Sequence, residues 1–341
     1  MDLPPPPLVL EPATTTRRRR RLTLGIVGLL AILLPALAAL WLTQPGVRPL
    51  SGPAVPAVSE AALRAHVEKL ATDFRPRDHR HPENLDRVAT YVADLLRAAG
   101  GRVSEQAFQV GSHTYRNVIA AFGPAIGDPV VIGAHMDAYG DLPGADDNAS
   151  GVAGLLELGR IFGTQPPAAP VLLVAFTLEE PPHFRTGNMG SVRHAQALRQ
   201  QGTKVRAMLA LEMIGTFSDA PGSQRFPLPI IGLLYPDQGN FIAVVGRLGD
   251  GRLTRRVKAA MAGATPLEVR SMNAPRSVVG IDFSDHRAYW DAGYPALMIT
   301  DGAFFRNTAY HTPQDTPERL DYRRMGQVVQ GVWAAVQELH R

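Results

Sequence analysis

The sequence predicts an α/β fold, a three-layer sandwich around a mixed, mostly parallel central sheet, preceded by one transmembrane helix. Two observations predict the sandwich. From residue 130 onward, short apolar runs alternate with segments of helical periodicity, and acidic or histidine residues directly follow several of those runs. A third observation predicts the helix, because residues 22–42 contain no charged side chain and match the ~20 residues that span a bilayer.

Composition narrows the possible functions. With 341 residues, of which 45% are hydrophobic, the chain can bury a large core. The net charge is +4, but residues 1–21 carry +3 of it, because five arginines outweigh Asp2 and Glu11. The nearly neutral remainder gives no electrostatic reason to propose nucleic-acid binding. The absence of cysteine excludes disulfides, a thiol nucleophile and a cysteine-based zinc finger.

The N-terminal segment predicts membrane targeting. Residues 1–21 are rich in Pro, Thr and Arg, and we expect them to form a disordered cytoplasmic head. The arginines at 17–21 precede the apolar segment 22–42, so the positive-inside rule puts the rest of the chain on the extracytoplasmic side. The pattern Ala36-Leu37-Ala38 leaves open a cleaved signal peptide and a secreted protein. The apolar run is longer than a usual signal sequence, which favours a retained signal-anchor.

The remaining elements follow in order. Residues 43–57, rich in Pro and Gly, predict a linker, and residues 58–341 predict the main folded domain. Periodicity predicts two helices, at about 59–70 and 82–99, and then two antiparallel strands, at 102–110 and 115–122. The segment 215–240 reads as an irregular insertion near the site. Further strands are predicted at 130–132, 171–176, 208–211, 241–245 and 296–299, and further helices at about 148–162, 188–201, 251–262 and 317–340.

Candidate metal ligands follow the apolar runs. His135, the pair Glu179-Glu180 and Glu212 each come directly after one of them, and His311 lies further along the chain. A single acid or histidine on a loop is more often a solvated surface residue. Several of them at successive strand ends predict a shared site, because ligands bind outside the carboxyl ends of strands in open α/β sheets. Histidine and carboxylate without thiolate suit Zn²⁺, with Mn²⁺ or Co²⁺ possible.

Two ions about 3.5–4 Å apart need a bridging carboxylate, and either Asp146 or Asp147 is a natural candidate. Asp137, two residues after His135, is placed to accept the other imidazole N–H and to fix the tautomer of the ring.

The pair Glu179-Glu180 supplies a further function. Neighbouring side chains on an extended segment point in opposite directions, so one carboxylate can bind metal while the other accepts a proton from the attacking water.

Three motifs resemble those of the co-catalytic di-zinc aminopeptidase family, whose fold also carries glutaminyl cyclases and glutamate carboxypeptidases. They are Gly133-Ala134-His135-Met136-Asp137, Pro143-Gly144-Ala145-Asp146-Asp147-Asn148-Ala149-Ser150-Gly151, and Tyr310-His311-Thr312 with Asp315-Thr316. The resemblance covers roughly residues 61–341.

The resemblance implies a role for each matching residue. His135 and Glu212 would bind one zinc ion, Glu180 and His311 the other, and Asp146 would bridge them. Glu179 would be the general base, and Asp137 would orient His135. A cis peptide bond is implied between Asp146 and Asp147.

The sequence departs from the family pattern in two places. Glu212 stands where Asp is more usual, and residues 181–189 form a longer loop after the Glu pair. Ser284-Asp285-His286 also resembles a family segment, and its Asp and His are either supporting or substrate contacts, or a helix N-cap with a surface histidine. Four other histidines fit no ligand spacing and are expected at the surface: His79, His81, His183 and His194.

The expected function is metal-dependent hydrolysis of the N-terminal amide bond of peptides, with two zinc ions and a membrane attachment through the N-terminal helix. The alternatives are a glutaminyl-peptide cyclotransferase with one zinc ion and a non-catalytic ectodomain of the same fold. The complete set of five ligands disfavours both.

Overall fold

A computed structural model describes residues 3–4, 13–44, 46–52 and 54–341. The chain forms two compact units, Met1–Trp41 and Leu42–Arg341.

Helix α1 spans Ala13–Thr43. Its segment Arg19–Thr43 has a mean hydropathy of 2.4 in its most apolar stretch, which is fully exposed, and is long enough to cross a membrane. Signal sequences share this length and apolar composition, so anchoring stays a prediction. The head was expected to be disordered through residue 21, but residues 13–21 are helical. Residues 3–4 have no regular structure, and the other head residues lie outside the described residues.

The second unit contains an eight-stranded sheet in the order β1-β2-β4-β3-β5-β8-β6-β7. Strands β3, β4, β5 and β8 run parallel to one another, as do β6 and β7, whereas β1–β2, β2–β4 and β6–β8 are antiparallel pairs. This confirms the mixed, mostly parallel sheet. The strands are β1 (Arg102–Val110), β2 (His113–Phe122), β3 (Val130–His135), β4 (Val171–Phe176), β5 (Ala207–Glu212), β6 (Phe241–Arg247), β7 (Glu268–Ala274) and β8 (Ala296–Thr300).

Helices cover both faces of the sheet. Five helices, α2, α3, α4, α6 and α8, share one apolar core with one sheet face, and the other two, α5 and α7, share a second core with the other face. Consecutive strand residues alternate between these cores, as Val130, Val131 and Ile132 do. The helices are α2 (Glu60–Glu68), α3 (Pro82–Ala98), α4 (Gly151–Thr164), α5 (Gly190–Gln200), α6 (Gly251–Ala264), α7 (His286–Asp291) and α8 (Tyr322–Leu339).

Three details differ from expectation. Strand β7 and helix α7 were not predicted, and the last helix begins at Tyr322 rather than 317. A short 3₁₀ turn, Pro317–Arg319, precedes it, and the Asp321 side chain caps α8 by accepting a hydrogen bond from the Arg324 N–H at 2.9 Å. The segment 215–240 is irregular as expected, apart from the 3₁₀ turn Pro229–Leu233.

Candidate metal centre

Strands β3 and β5 end at His135 and Glu212, and Glu179 and Glu180 follow β4. Because β3, β4 and β5 are parallel, their carboxyl ends lie at one edge of the sheet. The structure therefore brings together side chains that are more than forty residues apart in the sequence.

His135 is buried and faces carboxylates with one ring nitrogen. Its Nε2 lies 3.2 Å from Asp147 Oδ1 and 3.5 Å from Glu212 Oε2. Its Nδ1 lies 3.1 Å from the backbone oxygen of Asp137 but 3.6 Å from that residue's carboxylate. The backbone carbonyl of Asp137, not its side chain, is therefore the hydrogen-bond partner that orients the imidazole, which corrects the expected contact.

His311 faces the same Asp147 from the other side. Its Nε2 lies 3.1 Å from Asp147 Oδ2 and 3.2 Å from both carboxylate oxygens of Glu180. The imidazole is sandwiched between two tyrosine rings, Tyr139 at 4.2 Å and Tyr310 at 3.8 Å, which are nearly parallel to it.

Two groups of potential metal ligands share one residue. His135, Asp147 and Glu212 form the first group, and Asp147, Glu180 and His311 form the second; in each group the donor atoms lie within 4.8 Å of one another. The shared carboxylate is thus Asp147, whereas the family resemblance implied Asp146.

Asp146 is turned away from both histidines. Its carboxylate accepts hydrogen bonds from the Gly215 N–H at 2.9 Å, from the Asn307 side chain at 3.0 Å and from the Thr216 hydroxyl. These bonds occupy the carboxylate of Asp146 with structural contacts. They are the physical reason why the shared carboxylate is Asp147 and not Asp146. The cis peptide bond also lies one residue further along, between Asp147 and Asn148.

The loop that carries Asp147 is held from two sides. The Asp315 carboxylate accepts hydrogen bonds from the N–H groups of Asp146 and Asp147, both at 3.1 Å. The Asn148 side chain donates to the carbonyl of Leu211 at 2.8 Å and accepts from the Met213 N–H at 3.1 Å. These contacts fix Asp147 beside the end of β5.

Glu179 belongs to neither group. It is buried, and its Oε2 lies 4.0 Å from the Nε2 of His135. The two carboxylate oxygens of Asp137 accept the backbone N–H groups of Glu179 at 3.1 Å and Glu180 at 3.0 Å. Asp137 therefore fixes the turn that directs these two carboxylates, while its own carbonyl orients His135.

Buried carboxylates outnumber histidines in this cluster, and their pKa values reflect it. Burial raises the pKa of Glu179 well above its usual range, and burial together with the charge of Asp147 raises the pKa of Glu180 to about 8. Burial lowers the pKa of His311, but hydrogen bonds to Asp147 and Glu180 outweigh it and raise the pKa to about 10. Oxygen and imidazole donors with surplus negative charge fit divalent zinc.

The segment Ser284-Asp285-His286 contacts the candidate metal centre through its serine. The Ser284 hydroxyl donates to Glu212 Oε2 at 2.7 Å. His286 is buried and its Nε2 contacts the carbonyl of Ile281 at 2.8 Å, so it is not a surface histidine.

The four histidines expected at the surface do not all lie there. His194 is buried and contacts the Tyr289 hydroxyl, so this expectation was wrong for His194. His79, His81 and His183 are partly exposed and lie outside both groups of potential ligands.

Arg77 is a residue that supports the candidate site and that sequence reasoning missed. It is fully buried, and its guanidinium donates to four backbone carbonyls. Two of these acceptors, Pro143 and Gly144, precede Asp147, and another, Met136, follows His135. Burial lowers the Arg77 pKa to about 10, opposed by the nearby carboxylates. Several arginines share this polar stretch of sequence, and no local pattern distinguishes Arg77 from them.

Replacing Arg77 is expected to destabilise the fold strongly. Arg77→Met removes the donors of four buried carbonyls and a buried cation among carboxylates, so the free energy of unfolding should fall by about 3–5 kcal/mol. Arg75→Met is the matched control, because Arg75 is exposed and pairs with exposed Asp141 at 2.9 Å, which predicts a change within about 1 kcal/mol. Urea denaturation of both variants measures the difference, and equal stabilities would contradict the structural role of Arg77.

Comparison with known proteins identifies the family. The model for peptidase family M28 matches residues 117–336. An uncharacterized Escherichia coli K12 protein, YfbL, is 48% identical over 282 residues, covering 80% of this chain and 86% of that protein. A probable leucine aminopeptidase of Arthroderma benhamiae is 26% identical over 289 residues, covering 81% of this chain and 72% of that protein.

Solved structures share the fold. The Bacillus subtilis zinc aminopeptidase superposes with a TM-score of 0.67 at 15% identity, over 83% of this chain and 95% of that one. A Bacteroides thetaiotaomicron glutaminyl cyclase superposes with a TM-score of 0.63 at 19% identity, over 83% of this chain and 99% of that one. The resemblance inferred from the motifs is thereby confirmed, and the chain belongs to peptidase family M28, a family of metallopeptidases.

Proposed function

We propose that the protein is a zinc-dependent aminopeptidase that removes N-terminal residues from peptides and holds two zinc ions. The observation that carries the proposal is the pair of ligand groups that share Asp147 and leave Glu179 free. In this proposal His135 and Glu212 would hold one ion, Glu180 and His311 would hold the other, and Asp147 would contribute to both.

Zinc bound there would polarise the scissile carbonyl and lower the pKa of a water molecule, so that the water becomes a nucleophile at neutral pH. Glu179 then acts as the general base: it takes the proton from the water onto its carboxylate and passes it to the leaving amine. Its position beside His135, outside both ligand groups, supports this assignment. Asp137 is a positioning residue, because it fixes the backbone of both glutamates and orients His135.

We infer the class of substrate from the charge of the candidate metal centre and from the cavity beside it. The surplus of carboxylates suits a positively charged α-amine, and the curated relatives of this chain include probable leucine aminopeptidases. Glu212 also lines an apolar cavity, which suits an apolar side chain on the first residue of the peptide. The wall of this cavity contains four phenylalanines: Phe241, Phe283, Phe304 and Phe305.

Zinc titration of metal-free protein tests the proposal. We expect hydrolysis of leucyl- and phenylalanyl-anilides to appear as zinc is added and to reach its maximum at two ions per chain. An N-acetylated leucyl-anilide is the control substrate, because it lacks the free α-amine that an aminopeptidase requires. Failure to find metal-dependent amide hydrolysis would contradict the proposal and leave the non-catalytic ectodomain.

Glutaminyl cyclisation is the competing activity, since a cyclase shares the fold. Mass spectrometry of the intact protein under native conditions separates the two activities. One tightly held ion per chain, with conversion of N-terminal glutamine peptides, would replace the aminopeptidase proposal.

We also propose that α1 anchors the enzyme in a membrane with the catalytic unit on the extracytoplasmic side. The arginines at 17–21 and the exposed apolar stretch after them support this orientation.

A further inference from the structure

The chain that follows the apolar segment is bound to the catalytic unit from its first residues. The Thr43 carbonyl accepts hydrogen bonds from the Ser271 hydroxyl at 2.7 Å and from the Lys258 ammonium at 3.3 Å. Lys258 also donates to the carbonyl of Gln44 at 2.8 Å, and the Gln44 side chain donates to Asn273 at 2.9 Å. Thr43 and Gln44 are therefore buried against strand β7 and helix α6.

The same binding continues along the predicted linker. The Leu50 N–H donates to the carbonyl of Ala259 at 3.0 Å, and Arg160 donates to the carbonyl of Ala57 at 2.8 Å. Val55 and Val58 pack against the larger apolar core. The predicted linker thus lies on the catalytic unit rather than acting as a free spacer, and the apolar segment ends directly at that unit.

A second apolar element lies beside this point. Residues 226–235, which we call the apolar loop, contain no charged side chain. Leu228, Leu233 and Leu234 are 48%, 83% and 43% exposed, which is unusual for large aliphatic side chains placed close together. The Tyr235 hydroxyl at the end of the loop donates to the backbone carbonyl of Ser271. Ser271 therefore holds both the apolar loop and Thr43.

We infer that the apolar loop inserts into the lipid bilayer, an inference that rests on the proposed anchoring of the chain through residues 22–42. The anchor ends at Trp41 and Leu42, and the next residue, Thr43, is bound to Ser271. The end of the apolar loop is bound to the same residue. Because Thr43 directly follows the apolar segment in the chain, anchoring through that segment would bring Ser271 and the end of the loop close to the membrane surface. Exposed aliphatic side chains at that level bury themselves about 5–10 Å into the interface, and Trp and Tyr favour the headgroup region.

The composition of the apolar loop favours lipid as the partner that covers its exposed side chains. The apolar loop offers aliphatic side chains and two prolines but no charge for recognising a soluble partner. A protein released from the membrane would leave these leucines facing water, at a cost that grows with their exposed apolar area.

Insertion of the apolar loop would also affect how substrates reach the site. This consequence rests on the proposed function. Phe226, Pro227 and Tyr235 of the apolar loop line the same cavity as Glu212. Insertion of the loop would therefore bring this part of the cavity wall to the membrane surface, which suits peptides whose N-termini are held close to a bilayer.

Single fluorescent labels test the insertion. The chain has no cysteine, so Leu233→Cys in the full-length protein can be labelled with a polarity-sensitive fluorophore. In nanodiscs that hold one chain each, we expect blue-shifted emission and quenching by lipids that carry a quencher near the headgroup. Ile126→Cys is the matched control, because Ile126 is an aliphatic residue that is 91% exposed in the loop between β2 and β3. Its label should keep the emission seen in water.

Three outcomes would overturn the inference. The Leu233 label could behave like the Ile126 label, or it could be shielded only in discs that hold two chains, which would make a second copy the occupant. Cleavage after Ala38 with release of soluble protein is the third. None of these readouts needs turnover, so they remain separate from a failure of the proposed enzymatic function.

The consequence for access has its own measurement. Leu233→Asp should slow hydrolysis of a lipid-tethered peptide and leave hydrolysis of a soluble leucyl-anilide unchanged. Equal rates of the variant and the parent protein on the tethered peptide would remove this consequence.

Discussion

Glu179→Gln is expected to reduce kcat by roughly 10²–10⁴-fold, the usual contribution of a general base, and to leave zinc binding intact. The amide keeps the size of the side chain but cannot take up the proton of the attacking water. Zinc should stay bound, because Glu179 lies outside both groups of potential ligands.

Activity and metal content should be measured on the same samples, so that loss of the base can be told from loss of metal. Glu83→Gln is the control variant, because Glu83 is an exposed residue in the first turn of α3. Full activity of Glu179→Gln would remove it as the base, and simultaneous loss of zinc would make it a ligand instead.

Asp147→Asn is expected to lose zinc from both positions, whereas Asp146→Asn should keep it. The two residues are adjacent and carry the same side chain, so they form a closely matched pair. Asp147 lies between the two histidines, and the Asp146 carboxylate is bound to Gly215, Thr216 and Asn307. An amide at position 147 halves the acceptor capacity of the shared side chain and removes its charge.

The Asp146 variant should instead lose stability. Its carboxylate accepts three buried hydrogen bonds, and an amide nitrogen facing one of those donors costs about 1–3 kcal/mol of unfolding free energy. Zinc content by mass spectrometry and urea denaturation separate the two effects. Loss of zinc from Asp146→Asn with retention in Asp147→Asn would restore Asp146 as the bridge.

The sheet and most of its helices could be predicted from the sequence because their signals are local. Buried parallel strands are continuous apolar runs, and β3, β4 and β5 each begin and end within two residues of the predicted limits, except that β3 continues to His135. The rule that site residues follow strand ends predicted that His135, Glu180 and Glu212 lie close together, and the structure places them in the two groups of potential ligands.

Two elements were missed because their sequences lack those signals. Strand β7 reads Glu-Val-Arg-Ser-Met-Asn-Ala, with too many polar residues for an apolar run, and some of them bind the chain after α1. Helix α7 has six residues, which is too short to show a period.

The sequence could not decide whether Asp146 or Asp147 is the shared carboxylate, and the reason is different. Long-range contacts decide it: Asp315 binds the backbone of both residues, while Thr216 and Asn307 bind the side chain of Asp146. None of these partners is near in sequence, and neighbouring identical residues give no local signal. The sequence could not identify Arg77 for the same reason, because the backbone carbonyls that Arg77 binds are brought to it only by the fold.

The tyrosine sandwich around His311 has a thermodynamic consequence. With Tyr139 and Tyr310 stacked on both faces, the imidazole loses its rotational freedom when the protein folds. Ordering a free side chain at a binding step costs about 0.5–1.5 kcal/mol, and here that entropy loss precedes binding. The second group of potential ligands would therefore meet a metal ion with one ring already fixed in place, and the affinity for that ion would be gained through rigidity rather than through an additional contact.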